Sequence, residues 1–210
     1  MSTKKEIRST QEIRLIGLTG GIATGKTTVS NYLAKVYHLP ILDADIYARE
    51  AVIPDSPILA RIVQRFGNRV LLADGSLNRR ELGNIVFSEV GELRWLEEQI
   101  HPLVRDRFLQ DIETYISSQS QDMQPLTMVL AVPLLFEANM TDLVTEIWVV
   151  SCPLGKQLER LVKRDRIDLN QAQARINRQM SLAEKCQKAD VVLDNSTTVE
   201  SLLKQVDLVI

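Results

Sequence analysis

The stretch Gly20-Gly21-Ile22-Ala23-Thr24-Gly25-Lys26-Thr27 matches G-x-x-x-x-G-K-[ST], a pattern that binds phosphate when it joins a strand to a helix. The mostly apolar run from Ile13 to Thr19 precedes it and is typical of a buried parallel strand. Apolar residues then recur at helical spacing from Val29 to Val36, which predicts a helix that begins where the loop ends. In this setting the motif predicts a site for a nucleoside triphosphate.

The residue types of the loop have physical reasons. Glycines let the backbone turn tightly and direct its N–H groups inward, and the following helix adds a partial positive charge at its N-terminus. We expect Lys26 to contact the terminal phosphates and the Thr27 hydroxyl to bind Mg²⁺.

The composition is that of an ordinary globular protein, with 210 residues, 45% hydrophobic and 25% charged. The net charge of −2 argues against nucleic acid as the main ligand. The sequence shows no apolar run as long as the roughly 18 residues that a membrane span requires. Residues 1–11 are predicted to be a flexible tail, and the two distant cysteines, Cys152 and Cys186, are predicted to be free thiols of a cytoplasmic protein.

A second strand is predicted from Leu39 to Asp43, at or near the edge of the sheet because of Pro40. This strand carries Asp43 and Asp45 to its carboxyl end, where ligands bind in open α/β sheets. Two carboxylates there indicate either a helix cap or a catalytic pair, and the phosphate-binding loop favours the catalytic pair.

Between this strand and the next, helical signals follow one another. Ser56-Pro57 predicts the start of a helix that ends at Gly67, and Asn78 with Glu81 predicts the start of another. The proline of His101-Pro102 is expected to break or restart the helix that contains it. We interpret this region as an inserted substrate domain.

The last third of the chain predicts three more strands. They are Leu126 to Val132 after a polar loop at 119–125, Ile147 to Val150, and Asp190 to Asp194. Two helices are predicted between the last two of these strands, one from Leu154 and one from Asn170 to Met180. After the last strand, Asn195-Ser196 is predicted as a turn and cap, and a closing helix begins at Val199. Basic residues from Lys156 to Arg178 form either a solvated helix face or a mobile lid over the phosphates.

This order of elements predicts a small kinase with the P-loop NTPase fold: an α/β three-layer fold with a parallel sheet, a helical substrate-binding insertion and a helical lid. The predicted boundaries are 12–45, 122–152 and 187–210 for the nucleotide-binding core, 46–121 for the insertion and 153–186 for the lid. Two alternatives stay open. One is another P-loop small-molecule or nucleotide kinase, and the other is a nucleotide-binding regulatory protein, although the sequence has no N-K-x-D guanine reader.

A set of motifs resembles those of the dephospho-CoA kinases, lies in that family's order, and spans nearly the whole chain after the tail. The motifs are Leu18 to Thr28, Asp43-Ala44-Asp45-Ile46 with Ala48-Arg49, Asp74 to Arg80, His101-Pro102, Val132 to Glu137, Arg164-Asp165, Arg175 with Gln179, and Ala189-Asp190 to Asn195.

The resemblance implies transfer of the γ-phosphate of ATP to the ribose 3′-hydroxyl of dephospho-CoA, with Mg²⁺ and without an obligatory protein partner. It implies that Ala23, Thr24, Gly25, Lys26, Thr27 and Thr28 bind ATP, with Asn195 near the adenine. It implies that Asp45 is the general base and that Arg164 meets the transferring phosphoryl group. Asp43 would orient Asp45 or the metal, and Arg79, Arg80 and His101 would bind the acceptor. The loop departs from a common family pattern, G-G-I-G-S-G-K-S, at Ala23, Thr24 and Thr27. Thr27 keeps the hydroxyl for the metal, whereas Ala23 adds a Cβ where glycine is usual.

Overall fold

The computed structural model describes residues 13–118 and 126–210 and contains one parallel sheet of five strands. The order across the sheet is β2-β3-β1-β4-β5. The strands are β1 (Ile13–Gly20), β2 (Ile41–Asp43), β3 (Leu126–Ala131), β4 (Glu146–Ser151) and β5 (Val191–Asp194). The parallel α/β sheet and the edge position of the second strand are confirmed.

The described residues form nine α-helices and two short 3₁₀ turns, Asn68–Val70 and Thr141–Leu143. The helices are α1 (Lys26–Val36), α2 (Ala44–Glu50), α3 (Pro57–Phe66), α4 (Arg79–Ser88), α5 (Val90–Ser118), α6 (Leu154–Asp165), α7 (Leu169–Ile176), α8 (Leu182–Gln187) and α9 (Val199–Val209). Within the described parts of the chain, none of these helices is both long and apolar enough to cross a membrane.

Helices cover both faces of the sheet and make three layers, as predicted. Alternate residues of β3 point to opposite faces, since Val129 packs with α1 and α9 while Met128 and Leu130 pack with α2 and α5. Trp148 of β4 is fully buried on the first face, and Phe108 of α5 is fully buried on the second. The sheet therefore fixes the positions of the strand ends that carry the site.

The described part of the insertion, 46–118, has an apolar cluster of its own. Residues of α3, α4 and the first half of α5 pack in it, among them Ile62, Phe66, Leu82 and Leu96. The second half of α5 packs on the sheet instead, and Ile100 contacts both clusters. The predicted insertion is thus joined to the core through α2 and the second half of α5.

Two helix boundaries near the predicted insertion are confirmed and one prediction is wrong. The Ser56 side chain caps α3 at its N-terminus, and α3 ends at Gly67 as expected. Helix α5, in contrast, continues through Pro102 over 29 residues. A proline removes one backbone N–H from the helix, but apolar side chains on both sides of Pro102 are packed, and that packing maintains the helix.

The region after α6 also differs from the prediction. The helix expected from Asn170 to Met180 ends at Ile176, and a separate helix, α8, follows. Ser181 and Glu184 form a reciprocal capping box at the start of α8, a signal that the apolar periodicity alone did not show. The last helix is capped by Thr198 rather than by Ser196. The predicted tail at 1–11 and the loop at 119–125 lie outside the described residues.

Candidate active site

A cavity of about 700 Å³ opens at the carboxyl edge of the sheet. Its wall contains the loop after β1, the start of α2, the middle of α5, the segment after β3, and α6. The predicted site residues in its lining are Ala23, Thr24, Gly25, Lys26, Thr27, Asp45, His101 and Arg164. The structure therefore brings the loop, the candidate base and the candidate lid arginine around one space.

Five other predicted site residues are not among those that line this cavity. They are Thr28, Asp43, Arg79, Arg80 and Asn195. Arg79 is close to Arg49, donates a long hydrogen bond of 3.5 Å to its carbonyl, and has a lowered pKa through burial first and the charge of Arg49 second. Arg80 is exposed on the same first turn of α4.

The loop presents a group of free backbone donors to the cavity. Among the described residues, the N–H groups of Ala23, Gly25, Lys26 and Thr27 donate no hydrogen bond to the protein. Lys26 and Thr27 are the first residues of α1, so the helix dipole adds positive potential at the same place. The Lys26 ammonium has no ion-pair partner in the described chain. Such an arrangement binds a polyanion.

Side chains behind the loop hold its carbonyl groups. The carbonyl of Thr24 accepts hydrogen bonds from Nδ2 of Asn195 at 2.7 Å and from Arg160 at 3.4 Å. A Cβ on Gly25, whose φ is +108°, would lie 2.3 Å from Asn195 Nδ2, so glycine is needed there. The buried Asn195 contacts the loop backbone, and its Oδ1 has no partner in the described structure.

Ala23 has a φ of +61°, in the left-handed region. This conformation costs a residue with a Cβ roughly 1–2 kcal/mol relative to the right-handed one. The sequence motif indicated a departure at Ala23, and the backbone keeps the turn despite the Cβ. The contacts on either side of Ala23 must therefore compensate for the strain.

The two candidate carboxylates have different positions. Asp43 is the N-cap of α2, and its Oδ1 accepts a hydrogen bond from the N–H of Asp45 at 2.8 Å. Asp45 is exposed, lines the cavity, and its carboxylate forms no hydrogen bond or ion pair with another described residue. The helix cap and the free carboxylate are thus two different residues, and Asp45 is available to a ligand.

Basic and titratable groups complete the wall of the cavity. His101 is half-buried in α5, and burial lowers its pKa although Glu97 raises it slightly, so the imidazole is neutral at pH 7. Arg164 donates to Asp165 at 2.7 Å, and Arg175 donates to the same carboxylate at 2.5 Å. The hydrogen bond from Arg164 is the main reason that the pKa of Asp165 is lowered.

Sequence reasoning assigned no role to four residues that surround the loop: Gln157, Gln179, Glu137 and Lys185. Gln157 and Gln179 contact the backbone of Ile22, and Lys185 forms a buried ion pair with Glu137 at 2.9 Å. Gln157 lies four residues before Leu161 on the apolar side of α6. A polar residue at such a position is a signal that could have identified it.

The described residues contain no group of three or more His, Cys, Asp or Glu side chains that could hold a metal ion. Mg²⁺ is commonly held by one or two protein oxygens together with substrate phosphates and water. The exposed Thr27 hydroxyl beside the free N–H groups fits such a site.

Sequence comparison gives one consistent result. A sequence model described as dephospho-CoA kinase matches residues 14–201 of the chain. The dephospho-CoA kinase of Trichormus variabilis is 60% identical over 195 residues, which cover 93% of this chain and 95% of that protein. The dephospho-CoA kinase of a Nostoc species is 57% identical over 195 residues, with the same coverage of 93% and 95%.

Solved structures share the fold. The crystal structure of TT1252 from Thermus thermophilus matches with a TM-score of 0.75 and 28% identity, over 95% of this chain and 97% of that one. The dephospho-CoA kinase from Campylobacter jejuni matches with a TM-score of 0.66 and 24% identity, over 93% of this chain and 94% of that one. The second similarity supports the fold alone.

Proposed function

Because the chain belongs to the dephospho-CoA kinase family, we infer that it transfers the γ-phosphate of ATP to the ribose 3′-hydroxyl of dephospho-CoA, giving coenzyme A and ADP. This reaction is the last step of coenzyme A synthesis. The single observation that carries the proposal is the cavity in which the free N–H groups of the loop and the free carboxylate of Asp45 meet. The N–H groups suit the phosphates of the donor, and the carboxylate suits a hydroxyl that must lose a proton.

Asp45 is proposed as the general base. A ribose hydroxyl is a weak nucleophile at neutral pH, and a positioned carboxylate can accept its proton as the bond to phosphorus forms. Asp43 holds the N–H of Asp45 and thereby sets the direction of the first turn of α2. We assign Asp43 the role of orienting Asp45.

The phosphates are assigned to the loop and the basic residues. Within the segment Ala23 to Thr28, the free N–H groups of Ala23, Gly25, Lys26 and Thr27 would hold the phosphate groups, and the ammonium of Lys26 would lie beside the β- and γ-phosphates. Mg²⁺, when bound, neutralises charge on the phosphate oxygens, and the Thr27 hydroxyl would be its protein ligand. Arg164 would leave Asp165 to contact the phosphoryl group during transfer.

The acceptor is assigned to the insertion, 46–121. His101 reaches the cavity from α5, as do Leu96 and Ile100, so that wall is partly apolar. A neutral His101 can donate or accept a hydrogen bond without adding charge. Arg79 and Arg80 lie on the first turn of α4 and do not line the cavity. We assign them to the pyrophosphate of a long acceptor.

The segment 153–186 is proposed as a lid. It includes α6, α7 and most of α8 and contributes Arg160, Arg164 and Gln179 to the cavity wall. Closure over ATP would exclude water from the transferring phosphate. We place the reaction in the cytoplasm, with ATP and dephospho-CoA as the ligands and without an obligatory protein partner.

The test is a direct assay with purified protein, ATP, Mg²⁺ and dephospho-CoA. We expect release of ADP and formation of coenzyme A, identified by its mass and by the phosphorus–proton coupling that locates the new ester at the 3′ position. Reactions without acceptor and with AMP as acceptor are the controls. Equal phosphorylation of AMP would favour a nucleotide kinase, and slow ATP hydrolysis without any phosphorylated acceptor would favour a regulatory nucleotide-binding protein.

A further inference from the structure

Both backbone polar groups of Ile22, which belong to two successive peptide groups, are held by glutamine side chains from the lid segment. The N–H of Ile22 donates to Oε1 of Gln179 at 2.9 Å, and its carbonyl accepts from Nε2 of Gln157 at 2.8 Å. We call Gln157 and Gln179 the glutamine clamp. Ile22 lies inside the phosphate-binding loop, immediately before Ala23.

Neither glutamine can move easily relative to the loop. Gln157 is 3% exposed, and a Cβ on Gly21 would lie 2.4 Å from its Nε2, so side chain and loop are in close contact. Gln179 precedes Met180, whose N–H donates to Oε1 of Glu137 at 2.9 Å.

Glu137 is fixed in turn by Lys185. The Lys185 side chain is fully buried, pairs with Glu137, and donates to the carbonyl of Pro133 at 3.1 Å. The same carbonyl accepts a hydrogen bond from the hydroxyl of Thr19, at the end of β1. The segment that carries Gln179 is therefore connected to the residues that follow β3 and, through the Pro133 carbonyl, to the end of β1.

The conformation that needs this support is that of Ala23. Its positive φ is disfavoured by its Cβ, and rotation of the peptide between Ile22 and Ala23 would relieve the strain. That rotation would also turn the N–H of Ala23, one of the free donors, away from the cavity. Gln157 opposes this rotation directly, because the rotation would carry the Ile22 carbonyl away from Nε2 of Gln157. Gln179 holds the N–H of the preceding peptide group, between Gly21 and Ile22, and so prevents Ile22 from turning with its neighbour.

We propose that Gln157 and Gln179 are positioning residues that hold Ala23 in its left-handed conformation and thereby keep the loop ready for the phosphates of ATP. The role rests on the proposed function, since it assumes that this loop binds ATP. It also gives the proposed lid segment a direct connection to the loop through the two glutamines.

The test combines loss of the clamp with relief of the strain. Gln179→Met keeps the length of the side chain and removes the acceptor oxygen. We expect it to weaken ATP binding, measured by calorimetry without acceptor, and to lower kcat/KM for ATP about tenfold. Gln173→Met is the matched control, since Gln173 lies on α7 and its side chain, within the described chain, donates to Asn177 and not to the loop.

The decisive measurement repeats Gln179→Met in an Ala23→Gly background, with Ala23→Gly alone as the reference. Glycine adopts a positive φ without strain, so the loss caused by Gln179→Met should fall to threefold or less, about half of the tenfold effect in free-energy terms. Gln157→Met should show the same dependence on residue 23. Melting temperatures show whether each variant is folded under assay conditions.

Two results would overturn the proposal. One is a loss from Gln179→Met of the same size with alanine and with glycine at position 23. The other is unchanged ATP affinity in folded Gln179→Met and Gln157→Met proteins. A native protein that binds ATP but does not phosphorylate dephospho-CoA would contradict the proposed function instead, and the binding measurements would still test the clamp.

Discussion

The carboxylate of Asp43 accepts a hydrogen bond from the backbone N–H of Asp45 at 2.8 Å, and this bond separates two roles that the sequence could not separate. Asp43 stabilises the start of α2, whereas the side chain of Asp45 lines the cavity without a partner among the described residues. A substitution at Asp45 therefore leaves the helix cap in place.

We predict that Asp45→Asn lowers kcat by roughly 10²–10⁴, the range that a general base contributes. Asparagine keeps the size of the side chain and removes the proton acceptor, and the melting temperature should stay the same because Asp43 remains the cap. ATP affinity should change little. Glu50→Gln, an exposed change on the same helix, is the control. Full activity of Asp45→Asn would exclude Asp45 as the base.

Lys26→Ala should reduce turnover by several orders of magnitude, because the positive charge beside the β- and γ-phosphates is lost. The fold should be intact, since Lys26 has no ion-pair partner in the described part of the chain. Steady-state kinetics and circular dichroism measure the two expectations. The control is Lys35→Ala in the last turn of the same helix, and similar activity of both variants would show that another site binds ATP.

Arg164→Ala should lower kcat much more than it weakens ATP binding, if the guanidinium stabilises charge that develops during transfer. Lys163→Ala removes a neighbouring exposed charge that does not line the cavity, and it should have little effect. Comparison of the change in kcat with the change in the ATP dissociation constant distinguishes a role in phosphoryl transfer from a role in nucleotide binding. Weaker ATP binding with an unchanged kcat would assign Arg164 to nucleotide binding alone.

Dephospho-CoA should be phosphorylated far faster than AMP or adenosine at saturating ATP. The proposed substrate insertion would offer contacts to parts of the acceptor that do not react, and binding energy from such contacts can position the reacting hydroxyl. The ratio of kcat/KM values for the three acceptors is the measurement. A ratio near one would mean that the insertion does not recognise the long acceptor.

We predict that the folded protein loses stability in mild acid because of His101. Burial lowers its native pKa below the ordinary value of 6.5, so the unfolded state takes up a proton first as the pH falls. The stability that depends on neutral His101 is complete above pH 6.5 and decreases as the pH falls from 6.5 through the lower native pKa. Melting temperatures between pH 8 and pH 5 should fall less in His101→Gln, which keeps His38 as the other histidine. Parallel curves would contradict the prediction.

The part of the fold that the sequence predicted well depends on local signals. The motif from Gly20 to Thr27 specifies a strand, a turn and a helix in sequence, and Pro40 placed β2 at the edge correctly. Pro102 misled the prediction because a proline's local effect on a helix is small compared with the packing of a long helix against two apolar clusters.

The site could be predicted where the type of a residue and its motif indicate its chemistry, as for Lys26 and Asp45. The structure brings both residues to one cavity. The glutamine clamp was predictable only in part. Gln157 is a polar residue on the apolar side of α6 and Gln179 belongs to the motif set, but an amide that holds a backbone group has no spacing that indicates this role. Gln157 and Gln179 contact Ile22 across separations of 135 and 157 residues, and only the folded chain brings them together. The position of Asn195 behind the loop depends on tertiary structure in the same way.

Because α5 continues through Pro102, a bend at the proline would change the position of one half of the helix relative to the other. The part of the helix before Pro102 packs with α3 and α4, and the part after it packs on the sheet. Pro102, beside His101, lacks a backbone N–H and is the point at which the helix would bend most easily. The twelve residues from Val90 to His101 span roughly 18 Å, and a bend of roughly 10° at the proline would displace the far end by about 3 Å. A small angular change at the wall of the cavity would thereby displace α3 and α4 by several ångströms.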